Sequence, residues 1–189
     1  MHEPIAGATR RPQASQRGRQ EVALLVHSLE DEAIVSAQLQ RTLRGKWAVA
    51  KRCHLGVPMA IENHPVLDDG APFPTLFWLT CPVLLKRVSQ LEAGGGMAQL
   101  NERLANDPGL KARLTSSVEA LRARRDTHAV IEGSGAPPGG GADKVKCLHA
   151  HTAQELALPG DPAGALALAA TGWPDCQEPC FSVQIGAAG

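Results

Sequence analysis

Two prolines, Pro74 and Pro82, bracket a stretch in which Leu76, Phe77, Trp78 and Leu79 follow one another without a polar break. Proline fixes φ and has no N–H to give to a sheet ladder or a helix, so each one marks the edge of an element. The unbroken apolar run between them fits a strand covered on both faces better than one that is half exposed. Pro82 then falls at a first helical position, where a missing N–H costs nothing, with Thr80 or Cys81 as the cap. Leu84, Val88 and Leu91 recur at helical spacing through Glu92, and Gly94-Gly95-Gly96 closes the turn. A buried strand that runs straight into an amphipathic helix is the kernel of a layered α+β fold.

The flanking sequence extends this reading. Trp47 to Cys53 reads as a strand, His54–Pro58 as a turn around Gly56, and Met59–Asn63 as a second strand antiparallel to the first. Asp68-Asp69-Gly70 is a turn leading into the third strand, within Phe73–Thr80. Before the sheet, Glu21–Leu43 reads as one broken helix or two, with Asp31 capping the second. After it come a short helix from Met97 to Asn106 and a longer one from the Asp107-Pro108 cap to Thr127. Ser134–Ala142, rich in proline and glycine, reads as a loop. Asp143 is expected to cap a helix over Lys144–Leu158, and Asp161-Pro162 starts another through Ala170. The expectation is an α+β fold with a small antiparallel sheet of about three strands packed with several helices. Residues 1–20 read as a disordered basic tail, 21–172 as one domain and 173–189 as an irregular tail.

Charge narrows the classes of function. Nineteen Lys and Arg against nineteen Asp and Glu give zero net charge, so the broad basic footprint of a nucleic-acid binder is absent and no nucleic-acid partner is expected. No apolar run approaches the ~20 residues of a membrane span. Arg10, Arg11, Arg17 and Arg19 are not followed by the apolar stretch of a secretory signal, so a cytoplasmic location is expected. Five cysteines, an odd number, do not fit a secreted disulfide scaffold. In a reducing compartment such thiols are buried, bound to metal or reactive.

The densest set of donor groups is Val145-Lys146-Cys147-Leu148-His149-Ala150-His151. Thiolate and imidazole are the donors that zinc and iron favour. A helix would put Cys147 and His151 on one face, whereas an extended segment would put Cys147, His149 and His151 on one side. Cys53 ends a strand and Cys81 precedes a helix, so both sit where sites gather. The candidate metal site is therefore Cys53, Cys81 and Cys147 with one or both of His149 and His151, and zinc or iron is the cofactor such a donor set would take. Against it stands the plainer reading that these cysteines serve as small buried hydrophobes. Cys147 beside Lys146, with His149 or His151 as base, is also a candidate catalytic thiol. Cys176-x3-Cys180 reads as an incidental pair. Glu62, Asp68, Asp69 and Glu92 read as turn or surface carboxylates, and Arg122–Arg125 as a solvated helix face. Neither glycine run matches a phosphate-cradling motif.

Several stretches together carry a resemblance: Arg52-Cys53 with Gly56 and Pro58, DDGAPFPTLFWLTCP at 68–82, SQLEAGGGM at 89–97, RLANDP at 103–108 and DKVKCLHAH at 143–151. In these the chain resembles the bacterial DUF501 family, from about Ala33 to Ala170. The resemblance implies no catalytic residues and no established activity. It implies an association with cell-division or envelope processes and places Cys53, Cys81, Cys147 and His149 inside the motif-bearing stretches. Two functions follow as expectations: a metal-binding domain using the Cys/His site, or a metal-free module that docks a protein partner.

Overall fold

A computed structural model describes residues 25–131 and 139–181. The expected basic tail, 1–20, lies outside the described residues. The order of elements is α1 (Leu29–Leu39), β1 (Trp47–Arg52), β2 (Pro58–Asn63), β3 (Phe77–Leu79), α2 (Pro82–Ala93), α3 (Gly96–Asn106) and α4 (Pro108–Asp126). A small hairpin, β4 (Gly140–Gly141) and β5 (Lys144–Val145), follows, then α5 (Leu148–Ala157) and α6 (Pro162–Thr171). The three main strands form one antiparallel sheet in the order β1-β2-β3. The fold class is α+β, as the sequence reads.

The sheet is covered on both faces. Phe77 and Leu79 of β3 pack into the main core with Met59, Leu84, Val88 and Leu148. Trp78, between them, joins a second cluster built on Val35, Trp47 and Ile61. This explains the unbroken apolar run: successive side chains point to opposite faces, Phe77 and Leu79 into the core and the half-buried Trp78 against the second cluster. The strand is shorter than the expected Phe73–Thr80. Residues 66–72 close their own bridge between Val66 and Pro72, and the Phe73 N–H is drawn to the Pro65 carbonyl at 2.7 Å.

Among the described residues, N-cap side chains open three of the six helices, α1, α4 and α6. The Asp107 side chain accepts from the Leu110 N–H at 2.9 Å, ahead of Pro108 at the start of α4. Asp161 accepts from Ala163 and Gly164 at the start of α6. Two expected boundaries are corrected. Helix α1 starts at Leu29 and is capped by Ser28, whose hydroxyl accepts from the Asp31 N–H. Asp31 is buried and pairs instead with Arg52 at 2.8 Å, tying α1 to the end of β1. The last but one helix begins at Leu148 rather than Lys144, because Gly140–Gly141 pairs back onto Lys144–Val145 and uses Asp143 in the hairpin turn.

That hairpin decides the direction in which Cys147 and His149 leave the sheet. The Asn101 side chain on α3 bonds both the N–H and the carbonyl of Val145 at 2.9 Å. The Lys146 N–H reaches the Gly139 carbonyl at 2.7 Å. Helix α5 then packs on β2 and β3 and lies alongside α2 and α6. The Arg122–Arg125 stretch is not simply solvated. Arg124 binds the buried Glu62 through two hydrogen bonds of 2.7 and 2.9 Å, and His128 meets the same carboxylate at 2.8 Å. No helix among the described residues is long and apolar enough to cross a membrane.

Candidate functional site

Cys147 is the last extended residue before α5, at φ −155° and ψ 113°, and its own side chain makes no capping bond. The cap is supplied from another helix. Glu92, in the last turn of α2, accepts the Leu148 N–H at 2.6 Å through Oε1. A carboxylate at a helix N-terminus satisfies an orphan donor and meets the positive end of the dipole. Its second oxygen lies 3.3 Å from His149 Nδ1. The Cys147 sulfur lies within 4.8 Å of a His149 ring nitrogen, close enough for the imidazole to favour the thiolate.

Glu92, Cys147 and His149 thus converge, each half-buried, with one donor atom apiece within 4.8 Å of the others. Helix α2 also orients the imidazole. Ser89 donates its hydroxyl proton to the Leu85 carbonyl at 2.8 Å, so toward His149 Nε2, at 3.1 Å, it can only accept. The Leu85 carbonyl itself lies 3.2 Å from Nε2. Both neighbours are acceptors, so Nε2 carries the proton, and in the neutral ring Nδ1 is left with a lone pair on the side of Glu92.

The electrostatics follow the geometry. The His149 imidazole holds the Cys147 thiol below its ordinary range, helped by the Ala150 N–H and opposed by burial and by the charge of Glu92. His149 is held above its ordinary range by Cys147 first, then by Glu92 and the Leu85 carbonyl, against burial. A cleft of about 300 Å³ opens beside the cluster, with Cys147 and His149 in its wall next to Leu85, Phe77 and Trp78. A more enclosed space beside His151 measures about 30 Å³, room for a water or two and no more.

Of the five candidate ligands, the structure brings together Cys147 and His149 and adds Glu92. His151 points the other way, into the core, where Nδ1 meets Asp161 at 2.7 Å and Nε2 meets the Gly139 carbonyl at 3.0 Å. Both of its nitrogens are engaged, so neither faces the cluster. Cys53 and Cys81 lie outside this cluster, on the side of the C-terminal segment that carries Cys176 and Cys180. The C-terminal segment is tied down by His54 to the Cys176 carbonyl at 2.9 Å and by Arg87 to Asp175 at 2.7 Å. Burial raises the Cys81 thiol, and the nearby Cys180 and Cys176 add to the effect. Among the described residues no three of these four thiols come within 4.8 Å of one another.

The matched family now has a site to be compared with. The sequence matches the family described as "Protein of unknown function (DUF501)" over residues 49–169, well over half of the chain. The chain belongs to the DUF501 family. The match takes in Glu92, Cys147 and His149 and leaves out Cys176 and Cys180. No curated protein and no solved structure matches the chain.

The residue that sequence reasoning missed is Glu92, which reads as a surface carboxylate. A signal for it exists on α2 itself. Leu85, Ser89 and Glu92 stand at i, i+4 and i+7, so one stripe of the helix presents all three groups that surround the imidazole. The apolar stripe next to it, Leu84, Val88 and Leu91, is the one that draws attention.

Proposed function

We propose that this DUF501 protein is a metal-binding protein in which Glu92, Cys147 and His149 hold a single zinc or ferrous ion. The observation that carries the reading is the convergence of a carboxylate, a thiol and an imidazole within 4.8 Å, with the far nitrogen of the imidazole already committed to a carbonyl. Metal-bound histidines nearly always donate their other N–H to such a partner, which fixes the ring and raises its basicity. Ligand distances of about 2.0–2.3 Å require donors that can close to this range of mutual separation.

Charge balance supports the same reading. Glu92 and Cys147 put two potential anions side by side in a half-buried setting, where the charge of Glu92 opposes the Cys147 thiolate. A divalent cation removes that repulsion and makes both anions favourable. Three protein donors leave a tetrahedral ion one open position, the pattern of sites that bind or activate a small molecule. When bound, the ion would supply Lewis acidity at that position. The chain's own contribution is to hold Glu92 by the Leu148 N–H, to set the His149 tautomer through Leu85 and Ser89, and to present an apolar cleft that limits water.

Elemental analysis of the untagged protein, purified anaerobically, tests this. The expected result is about one equivalent of zinc or iron, lost in Cys147→Ser and in Glu92→Gln while both variants stay folded. No stoichiometric metal, and no uptake on titration with Zn²⁺ or Fe²⁺, would overturn it.

A second reading draws on the lowered Cys147 thiol at the start of α5, which is also the setting of a nucleophilic cysteine with His149 as its base. Against it, Glu92 sits beside the thiol, where its charge opposes the thiolate. A metal-free protein whose Cys147 is alkylated far faster than the other cysteines would favour this reading.

A further inference from the structure

The cleft beside the cluster has walls of one character and a single charged group outside the cluster. Leu39, Phe77, Trp78, Leu79 and Leu85 supply apolar surface, and Arg41 supplies the charge. Arg41 is placed by a local backbone device. Gln40, at the C-cap of α1, takes a left-handed conformation with φ 54°, which turns the chain sharply as it leaves the helix. The Arg41 N–H is then bonded to the Ser36 carbonyl at 3.1 Å, and its guanidinium carbon stands 4.1 Å from the centre of the Trp78 ring.

Stacking uses the face of a guanidinium and leaves its edge free. The N–H groups along that edge form a planar fork that matches a carboxylate with two parallel hydrogen bonds. Among the described residues no carboxylate pairs with Arg41, as none does with Arg103, Arg113 or Arg122, but of these four only Arg41 lines this cleft and is stacked on an aromatic ring. The face is held and the edge is vacant, which is an anion-recognition geometry. One cation without a cradle of backbone N–H groups suits a monoanion better than a phosphate dianion. The volume of about 300 Å³ lies at the small end of the range for small-molecule sites.

We infer that the cleft binds a small carboxylic acid with an apolar body, its carboxylate on the edge of Arg41 and its body laid over Phe77, Trp78 and Leu85 toward Cys147 and His149. The inference rests on the reading of the Glu92–Cys147–His149 cluster as the working end of the same cleft. Recognition itself is assigned to Arg41 and the apolar walls, so it can be tested apart from the metal.

The test is isothermal titration calorimetry of the full chain with 4-phenylbutanoate and with its uncharged amide, run on metal-stripped and Zn²⁺-loaded protein. The acid is expected to bind at least about tenfold more tightly than the amide. Arg41→Gln should cost the acid about that factor and leave the amide unchanged. Arg41→Lys, which keeps the charge but loses the fork and the stacking plane, should fall between. Equal binding of acid and amide, no binding of the acid, or an Arg41→Gln variant that binds the acid as tightly as the parent would each overturn the inference. Arg41-dependent binding in a protein that takes up no metal would leave this inference standing and sink the metal reading. Metal uptake without acid selectivity would do the reverse.

Discussion

His151 Nδ1 and Asp161 Oδ2 face each other at 2.7 Å with side-chain exposures of 3% and 0%, and this pair joins α5 to the start of α6. Asp161 is a complete junction. Its other oxygen caps α6 through Ala163 and Gly164, while Ser117 of α4 donates to Oδ2 at 3.0 Å. Removing the imidazole leaves Asp161 its bonds from Ser117, Ala163 and Gly164 but takes away one buried partner and leaves the Gly139 carbonyl without its own. His151→Ala is therefore expected to lose about 1–3 kcal/mol of stability, read from urea unfolding. Metal content per folded molecule should be that of the parent, since His151 faces away from the cluster. Loss of metal in a folded His151 variant would contradict this placement.

Ser89 acts on the site through His149. Its hydroxyl is exposed and makes no core contact, so Ser89→Ala should change global stability by no more than about 0.5 kcal/mol. Loss of an acceptor behind a metal-ligating imidazole typically weakens metal binding about tenfold or more. A competition titration of Zn²⁺ against a chromophoric chelator should show that drop in Ser89→Ala. An unchanged affinity would mean that the Leu85 carbonyl alone orients the ring.

The thiol of Cys147 gives a pH signature in the metal-stripped protein. Because its folded value is depressed, chiefly by His149, thiolate is present at lower pH than for an ordinary cysteine near about 8.5. Alkylation by iodoacetamide, followed by peptide mass spectrometry, should show a midpoint for Cys147 below that value. Cys81, raised by burial, should react only at higher pH. His149→Ala removes the largest stabilising contact, so the Cys147 midpoint should move up in that variant.

Gly164 sits where α6 crosses α5. A Cβ built there meets the His151 carbonyl oxygen and lies 2.6 Å from Glu155 Cβ. In an open helix, Gly→Ala would gain about 1 kcal/mol from propensity. Here the added methyl collides with backbone, and overpacking of this kind costs about 1–3 kcal/mol. Gly164→Ala is expected to lower the melting temperature, and a rise would show that α5 and α6 can separate freely.

The C-terminal segment should come loose in acid. Arg87 holds the Asp175 carboxyl below its usual range. A depressed carboxylate contributes its tie above the ordinary value of about 3.9 and loses it as pH falls through the folded value. Hydrogen exchange over residues 172–181 should therefore quicken, at matched intrinsic rates, as pH drops below about 4, while β2 stays protected. Arg87→Gln should show the quickened exchange already at neutral pH.

What the sequence determined is what local chemistry can determine. Asp107-Pro108 and Asp161-Pro162 open helices as they do on paper, because a cap and a fixed φ act within one turn, whereas Pro82 opens α2 with no capping bond from the expected Thr80 or Cys81. Asp68-Asp69-Gly70 makes its turn with φ 82° at Gly70, a conformation open to glycine at no steric cost. The apolar run of β3 foretold a strand covered on both faces, fully at Phe77 and Leu79 and in part at Trp78. Cys147, His149 and His151 were legible as a donor cluster, but a period of two puts all three on one side whereas a helix puts Cys147 with His151. Only the hairpin of Gly140–Gly141 with Lys144–Val145 settles the matter, by delaying α5 until Leu148. Once His149 and His151 both lie on that helix, two residues turn them to different sides, one toward α2 and one toward α6. Glu92 reaches the site from 56 positions before the N–H it caps, through the packing of α2 on α5. Cys176 and Cys180 are brought to the side of Cys53 and Cys81 by ties that Arg87 and His54 make to the end of the chain. Turns and caps are set by neighbours in sequence. Which donors share a site is set by which helices pack together, and that is decided by the whole core at once.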